Sequence, residues 1–595
     1  MRISGAGLVG LALIAACGDD VGPPVASGTT GDMSTSSGDG TPASSGPGPL
    51  DSGSSSDDES SETGETMPQP PACGSRDYDW APMLPGPAQD TFDSGLERIA
   101  RRHDRLHTAI TSAPTGLAGD VVVLTRNTAG REAVQTFLDE DDAWDFAAVT
   151  GLGLRDAVSA WNKATGAFAG VAVAADAYRY GVLRDQGYPC AEVDRARDQL
   201  LRAIDGLHLA TALTGEPGLV IRAVAHREWP GSEQIETTPL FDRDGNPLPL
   251  EKNNGTWRED LSGEHPELVW EDSCSRDQLI GWAAGFGAVW EVIATDPTID
   301  DARKLRLQAD AQAIVMQLST VRPSGYDLEI WDPEGRPSFH GHLHERNLEG
   351  SYVGLLNGFH AAMAAGIIGA LTYAAEDMQS ANYLYGALID ERDLPRIAAQ
   401  STLVDFGAAT NYSTYNMGFD AAWLASRYLD HGEAREHLQT FTRELYASPD
   451  APRQPIENAQ SFFDFVAAAT EADASAFAAA PGAPNSDWLA QGLDTLSRFP
   501  EPPSYIVSVE NCDADEIEAG VCTLLDGTVT ELIEGVAHND ELVAADPVPV
   551  EVRPRSNFDW RSNPYRVNVS SSGQVLPSSA DFRFAYWLGR WTRVD

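Results

Sequence analysis

The stretch that decides the fold is Glu271-Asp272-Ser273-Cys274-Ser275-Arg276-Asp277-Gln278, followed by Leu-Ile-Gly-Trp-Ala-Ala-Gly-Phe-Gly-Ala-Val-Trp-Glu-Val-Ile up to Ile293. Ser275 and Gln278 stand at the Ser-x-x-Gln spacing of a capping box, in which each side chain satisfies a free backbone N–H at a helix start. The spacing predicts a helix beginning at Arg276. Leu279, Trp282, Ala283, Phe286, Val289, Trp290 and Ile293 then recur at helical spacing. Gly281 and Gly285 open a stripe where a second backbone can approach. A helix apolar on more than one side is buried, whereas its entrance, crowded with Glu271, Asp272, Arg276 and Asp277, has the polarity of a cleft wall.

The same apolar, small-residue helix recurs along the chain, each time followed by a one-sided helix. Gly153 to Gln186 is rich in Ala and aromatics, and Cys190 to Thr214 follows with charges on one face. Arg276 to Thr295 pairs with Ile299 to Val321, Glu349 to Ala375 with Gln379 to Ala399, Tyr412 to Tyr428 with Glu433 to Tyr446, and Ile456 to Ala469 with Asp487 to Arg498. Thr91 to Ser112 adds a first amphipathic helix, and Ala580 to Trp591 a last one that closes the set. About six hairpins with buried inner helices and half-buried outer ones predict an (α/α) toroid over 73–499, with a stacked solenoid as the competing architecture. An irregular C-terminal segment, 500–595, packs on it. Phe359 to Ala375 is apolar enough to suggest a membrane span, but its place in the alternation makes it an inner helix. Small β-hairpins decorate one end: the segment from Leu219 to Pro230, Phe241 to Leu250, and Asp327 to Pro337.

The address is written at the other end of the chain. Arg2, the apolar run Leu8 to Ile14, and Ile14-Ala15-Ala16-Cys17 read as a lipoprotein signal, 1–17, with Cys17 as the lipidated residue. Residues 18–72 carry ten acidic side chains and no Lys or Arg, which predicts a disordered tether. The expected location is extracytoplasmic, in the periplasm or on the cell surface, with the membrane reached through the lipid only. A formal charge of −48 argues against nucleic acid as a partner. Export permits disulfides among Cys73, Cys190, Cys274, Cys512 and Cys522. Cys512 and Cys522 enclose a short loop that can close locally, and the other three leave an odd thiol.

Three motifs carry a resemblance: Ser275-Arg276-Asp277-Gln278 with Gly281 and Gly285, Asn411-Tyr412-Ser413-Thr414-Tyr415-Asn416-Met417, and Tyr586-Trp587-Leu588-Gly589-Arg590. Together they resemble secreted (α/α)-toroid proteins related in architecture to six-hairpin glycosidases and toroid polysaccharide lyases. The resemblance implies a central cleft and no particular reaction.

Chemistry is expected where the helix entrances meet. Asp277, in a first helical turn, is stabilised as a carboxylate and suits a base, a nucleophile or a partner for Arg222 or Arg276. Its proton-donating counterpart would be Glu271, Asp272 or Glu345. Asp277, Asp272, His342 and Tyr412 are the catalytic candidates, His342 or His344 serving as the base and Tyr412 or Tyr415 as the acid of a lyase reading. Arg222, His226, His340, His344, Asn416 and Arg590 are the substrate-binding candidates. His340, His342 and His344 would share one face of an extended strand, with Glu345 pointing away. Substrate hydroxyls are their expected partners rather than a metal, and no cofactor is expected. Asp242-Arg243-Asp244-Gly245-Asn246 imitates a calcium loop, but Pro247 stands where that loop needs Gly, so a turn is expected. Trp229, Trp257, Trp270, Trp331 and Trp587 either stack on sugar rings or pack. The expected function is binding, and in the enzymatic reading cleavage, of a polysaccharide. The alternative is a non-catalytic surface protein that binds a glycan or a protein.

Overall fold

The computed structural model describes residues 73, 80–248, 255–348, 351–352, 354–400, 412–429, 432–449, 451, 453–471, 485–534, 542–555 and 563–594. The signal, Cys17, the tether and Asn411 lie outside the described residues. Helices dominate, and their main members in chain order are α1 (Ser94–Leu106), α2 (Gly166–Asp185), α3 (Cys190–Ala212), α4 (Arg276–Ile293), α5 (Asp301–Ser319) and α6 (Gly358–Ala375). They continue as α7 (Leu394–Gln400), α8 (Ser413–Tyr428), α9 (Gly432–Ala447), α10 (Ser461–Glu471), α11 (Ser486–Ser497) and α12 (Ala580–Trp591).

The even-numbered helices are the apolar ones, and each packs on the next: α2 on α4, α4 on α6, α6 on α8, α8 on α10, α10 on α12, and α12 again on α2. Their odd-numbered partners bury one face against them, α3 on α2 and α4, α5 on α6, α9 on α8 and α11 on α10. In α6 every residue but Tyr373 is buried. This helix is long and apolar enough to cross a membrane, but 94% of that stretch is buried inside the molecule, so its apolarity serves the core.

Glycine sets the tightest contact. A Cβ on Gly170 would lie 1.9 Å from the Gly281 carbonyl oxygen, and one on Gly281 would lie 2.2 Å from the Gly166 carbonyl oxygen. α2 and α4 therefore run in the same direction with their starts together. A Cβ on Gly366 would meet the Ala421 backbone at 2.9 Å and one on Gly369 the Leu429 side chain at 3.2 Å, so α8 runs parallel to α6.

Four short strands flank these starts: β1 (Ala164–Thr165), β2 (Ala223–His226), β3 (Trp257–Glu259) and β4 (Leu268–Glu271), in the order β1-β2-β4-β3, all antiparallel. A hairpin of β5 (Glu329–Asp332) and β6 (Arg336–His342) packs beside them. Asp242 closes its turn by accepting the amides of Asp244 and Asn246, both at 2.8 Å.

The segment expected as one helix from Gln379 to Ala399 is broken into a short helix, a π-helical run over Asn382–Glu391, and α7. Disulfides join Cys73 to Cys190 and Cys512 to Cys522, leaving Cys274 as a buried free thiol.

Candidate functional site

The start of α4 is held from three sides. Arg222, just before β2, donates through Nη1 to Ser275 Oγ at 2.9 Å, and Ser275 in turn donates to Asp277. Gln278 Nε2 donates to the other Asp277 oxygen at 2.9 Å. The capping box expected from Ser275 and Gln278 does not form, because Gln278 Oε1 accepts the Ala167 amide at 2.9 Å and ties α4 to the first turn of α2. A neighbouring helix start, 111 residues away in sequence, outbids the local amide. Asp277 is left half-buried, accepting from two side-chain donors.

The three residues proposed as its proton-donating counterpart are all in ion pairs. Glu271 accepts from Lys163 Nζ at 2.7 Å. Asp272 meets Arg258 through Nε at 2.7 Å and Nη2 at 2.5 Å and also accepts the Thr256 amide at 2.6 Å. Glu345 pairs with Arg392 and lies 3.1 Å from His344 Nδ1, so it does not point away from the histidine strip. The carboxyl group that keeps its proton is one that the sequence reading passed over. Asp332, at the end of β5, is buried and accepts the Ser273 amide at 2.8 Å. Burial first, then the neighbouring Asp272 and Glu334 carboxylates, push it up to about 8. Burial and Asp272 raise Glu334 as well. Cys274, whose thiol is pushed up chiefly by burial, lies within the fields of both Asp277 and Asp332.

The histidines come to the same end. Strand β6 carries His340 and His342 on one face, but it stops before His344, so the three do not share a strand. Ser338 Oγ donates to the Cys274 carbonyl at 2.5 Å, which seats β6 against the α4 start. His342 Nδ1 lies 4.0 Å from Glu329, and His344 Nε2 lies 3.6 Å from Asp327. His360, in the first turn of α6, is driven well below the usual imidazole range by burial and by Arg276, with His342 and His344 adding to the same effect. Among the described residues no group of three or more His, Cys, Asp and Glu is arranged to hold a metal.

The remaining candidates scatter. Asn416, in the first turn of α8, bonds Asp420, which burial pushes up to about 8. Tyr412 is buried, and its oxygen accepts Asn458 Nδ2 at 3.0 Å, with Asn458 bonded onward to Tyr565. That chain of polar groups is internal, so Tyr412 is a packing tyrosine rather than an acid facing a ligand. Tyr415 is likewise buried. His226, half-buried, accepts the Glu228 amide and sits near Trp229, which packs edge-on against Trp161 at 4.4 Å. Arg590 is the clearest correction: in the last turn of α12, it donates to Gln186 at 2.7 Å and Tyr188 at 3.0 Å, beyond the end of α2 and so away from the helix starts. Trp270 and Trp587 are buried packing residues, whereas Trp229, Trp257 and Trp331 keep part of their surface.

No family model matches the chain, and no curated protein does. Among solved structures it is similar to one described as "Crystal structure of sugar epimerase from ruminal bacterium", at 10% sequence identity over 71% of this chain and 87% of that one, with a TM-score of 0.32. At that distance the chemistry rests on the residues of this chain alone.

Proposed function

We propose that this protein is a lipid-anchored, extracytoplasmic (α/α) toroid whose helix-start end binds a polysaccharide, with Asp277 as base and Asp332 as acid in its cleavage. The observation that carries the reading is a pair of differently held carboxyl groups, Asp277 and Asp332, that both act on Cys274. Asp277 accepts two side-chain hydrogen bonds, and Asp332 is kept protonated near neutral pH by burial and by Asp272. Two carboxyl groups with different proton affinities are what general acid and base catalysis at a glycosidic bond needs. The successive packing of the apolar helices and the common direction of α2 with α4 and of α6 with α8 support the toroid, and the lipoprotein signal and acidic tether support the address.

A second reading, a non-catalytic glycan- or protein-binding surface protein, is favoured by the ion pairs that occupy Glu271, Asp272 and Glu345. One experiment separates the two: a panel of acidic and neutral polysaccharides is incubated with wild type, Asp277→Asn and Asp332→Asn, and new chain ends are counted. Release by wild type that falls by a factor of about 100 or more in both variants supports the acid and base assignment. Glycan binding with no release from any substrate supports the binding protein instead.

A further inference from the structure

A second cleft lies away from the helix starts, in the wall made by α1, the C-terminal half of α2, the start of α3 and α12. Its volume is about 470 Å³, within the range of small-molecule sites, and Trp587 forms part of its lining. Five arginines face it: Arg98, Arg101, Arg102, Arg105 and Arg179.

Four of the five are already engaged. Arg98 pairs with Glu501 at 3.0 Å, and Arg102 with Asp139 at 2.8 Å. Arg101, at the rim, holds Glu192 at 3.0 Å and Asp142 at 3.2 Å. Arg105 donates to the carbonyls of Ala143, Leu138 and Phe137. Arg179 is different. It is 3% exposed and pairs with Asp104, whose Oδ2 lies 3.0 Å from Nε without the alignment of a hydrogen bond, and Arg583, Asp176 and Glu192 lie near enough to act on its charge. Trp144 covers one face of the guanidinium at 5.1 Å. The other Asp104 oxygen, Oδ1, accepts from Arg583 at 2.7 Å and Trp587 at 3.1 Å, so Asp104 is shared between two arginines. The Arg179 Nε is buried without an aligned hydrogen bond, a cost that the ion pair with Asp104 offsets in part. Burial accordingly lowers its proton affinity.

We propose that this cleft is a binding site for a small carboxylate ligand the size of one or two sugar rings, its carboxylate taken by the fork of Arg179. A guanidinium binds a carboxylate through two parallel N–H···O bonds. The charge of the lining selects a monoanion. Glu97, Asp104, Asp141, Asp142 and Glu192 balance the five arginines, so a doubly charged phosphate would meet repulsion that a single carboxylate largely escapes. This site is separate from the Asp277 end, and its test does not depend on that reading.

The test is calorimetric titration of the full chain with D-glucuronate, D-glucose, inorganic phosphate and sulfate, with tryptophan fluorescence as a second readout. The expected result is saturable binding of glucuronate, with no response to glucose and weaker or absent binding of phosphate and sulfate. Arg179→Gln should weaken glucuronate on the order of 100-fold, and Arg179→Lys, which keeps the charge and loses the fork, on the order of 10-fold. Should Arg179→Gln fail to fold, Arg101→Ala at the rim carries the test, with an expected loss of severalfold. The proposal is overturned if glucuronate does not bind, if glucose binds equally well, if phosphate or sulfate binds more tightly, or if the folded arginine variants bind as wild type does.

Discussion

Two buried polar clusters in this molecule are built from the same residue types and end in opposite charge states. Around Arg583, in α12, two carboxylates face a surplus of donors. Asp104 accepts Arg583 Nε at 2.7 Å, and Asp176 accepts Arg583 Nη2 at 2.5 Å, His107 at 3.1 Å and Gln199 at 3.0 Å. Burial alone would raise Asp176, yet His107, Arg583 and their hydrogen bonds hold it well below the usual carboxylate range. Around Arg258, three carboxyl groups, Asp272, Asp332 and Glu334, lie near a guanidinium that Asp272 takes for itself, with Arg336 a second cation acting on Glu334. Asp332 is left to resolve the conflict by keeping its proton. The difference teaches that burial alone does not decide protonation in this protein. The local balance of donors to carboxyl groups decides together with it, and the unbalanced cluster is the one beside the helix starts.

The comparison can be broken most severely at Arg583. Arg583→Met strands Asp104 and Asp176 without their cation and should cost about 3–5 kcal/mol in urea unfolding. A loss below about 1 kcal/mol would mean that the cluster is not the closed, balanced network described above.

Removing the carboxyl group from the unbalanced cluster has a smaller effect, and its sign depends on pH. The unfolded Asp332 ionises near 3.8, whereas the folded one keeps its proton to about 8, so its contribution to stability is complete below 3.8 and is lost as pH rises through that window. Asp332→Asn removes this slope. The variant should match wild type near pH 4 and become more stable than wild type by a few kcal/mol near pH 8. Asp420 and Asp464 are raised by burial too, and because both variants retain them, the difference between the two curves isolates Asp332. Parallel curves would refute the assignment.

Next in size is the contact that brings the helix starts together. Gly170→Ala forces a methyl group into the Gly281 carbonyl and should destabilise by about 1–3 kcal/mol, with the α4 start displaced. Smallest is Ser275→Ala, which removes the hydroxyl linking Arg222 to Asp277 and should cost about 1 kcal/mol. It should leave the Asp332 titration in place, since Asp332 is anchored through Ser273.

Much of the scaffold was legible in the sequence because it rests on local patterns. Helical periodicity located α3, α5, α8 and α9 within a few residues, and the four-residue spacing of Gly281 and Gly285 marked a helix that a second backbone approaches closely. What local grammar missed was settled by distant partners. Gln278 has the spacing of a capping residue and spends its oxygen on Ala167. Arg590 belongs to a recognisable motif, yet it sits at the far end of α12 because that helix runs its length before reaching Gln186. Asp332 was hidden for the same reason: its proton is held by burial and by Asp272, 60 residues away in sequence, and nothing in the hairpin around it records that meeting.

The most direct check of the account is a difference infrared titration of the carboxyl band, wild type against Asp332→Asn, on the full chain without added ligand. Asp420 and Asp464 contribute protonated carboxyl absorption to both proteins, so the account predicts one further protonated carboxyl in the wild-type-minus-variant difference at neutral pH, disappearing as pH passes about 8. Identical spectra for the two proteins through neutral pH would contradict it.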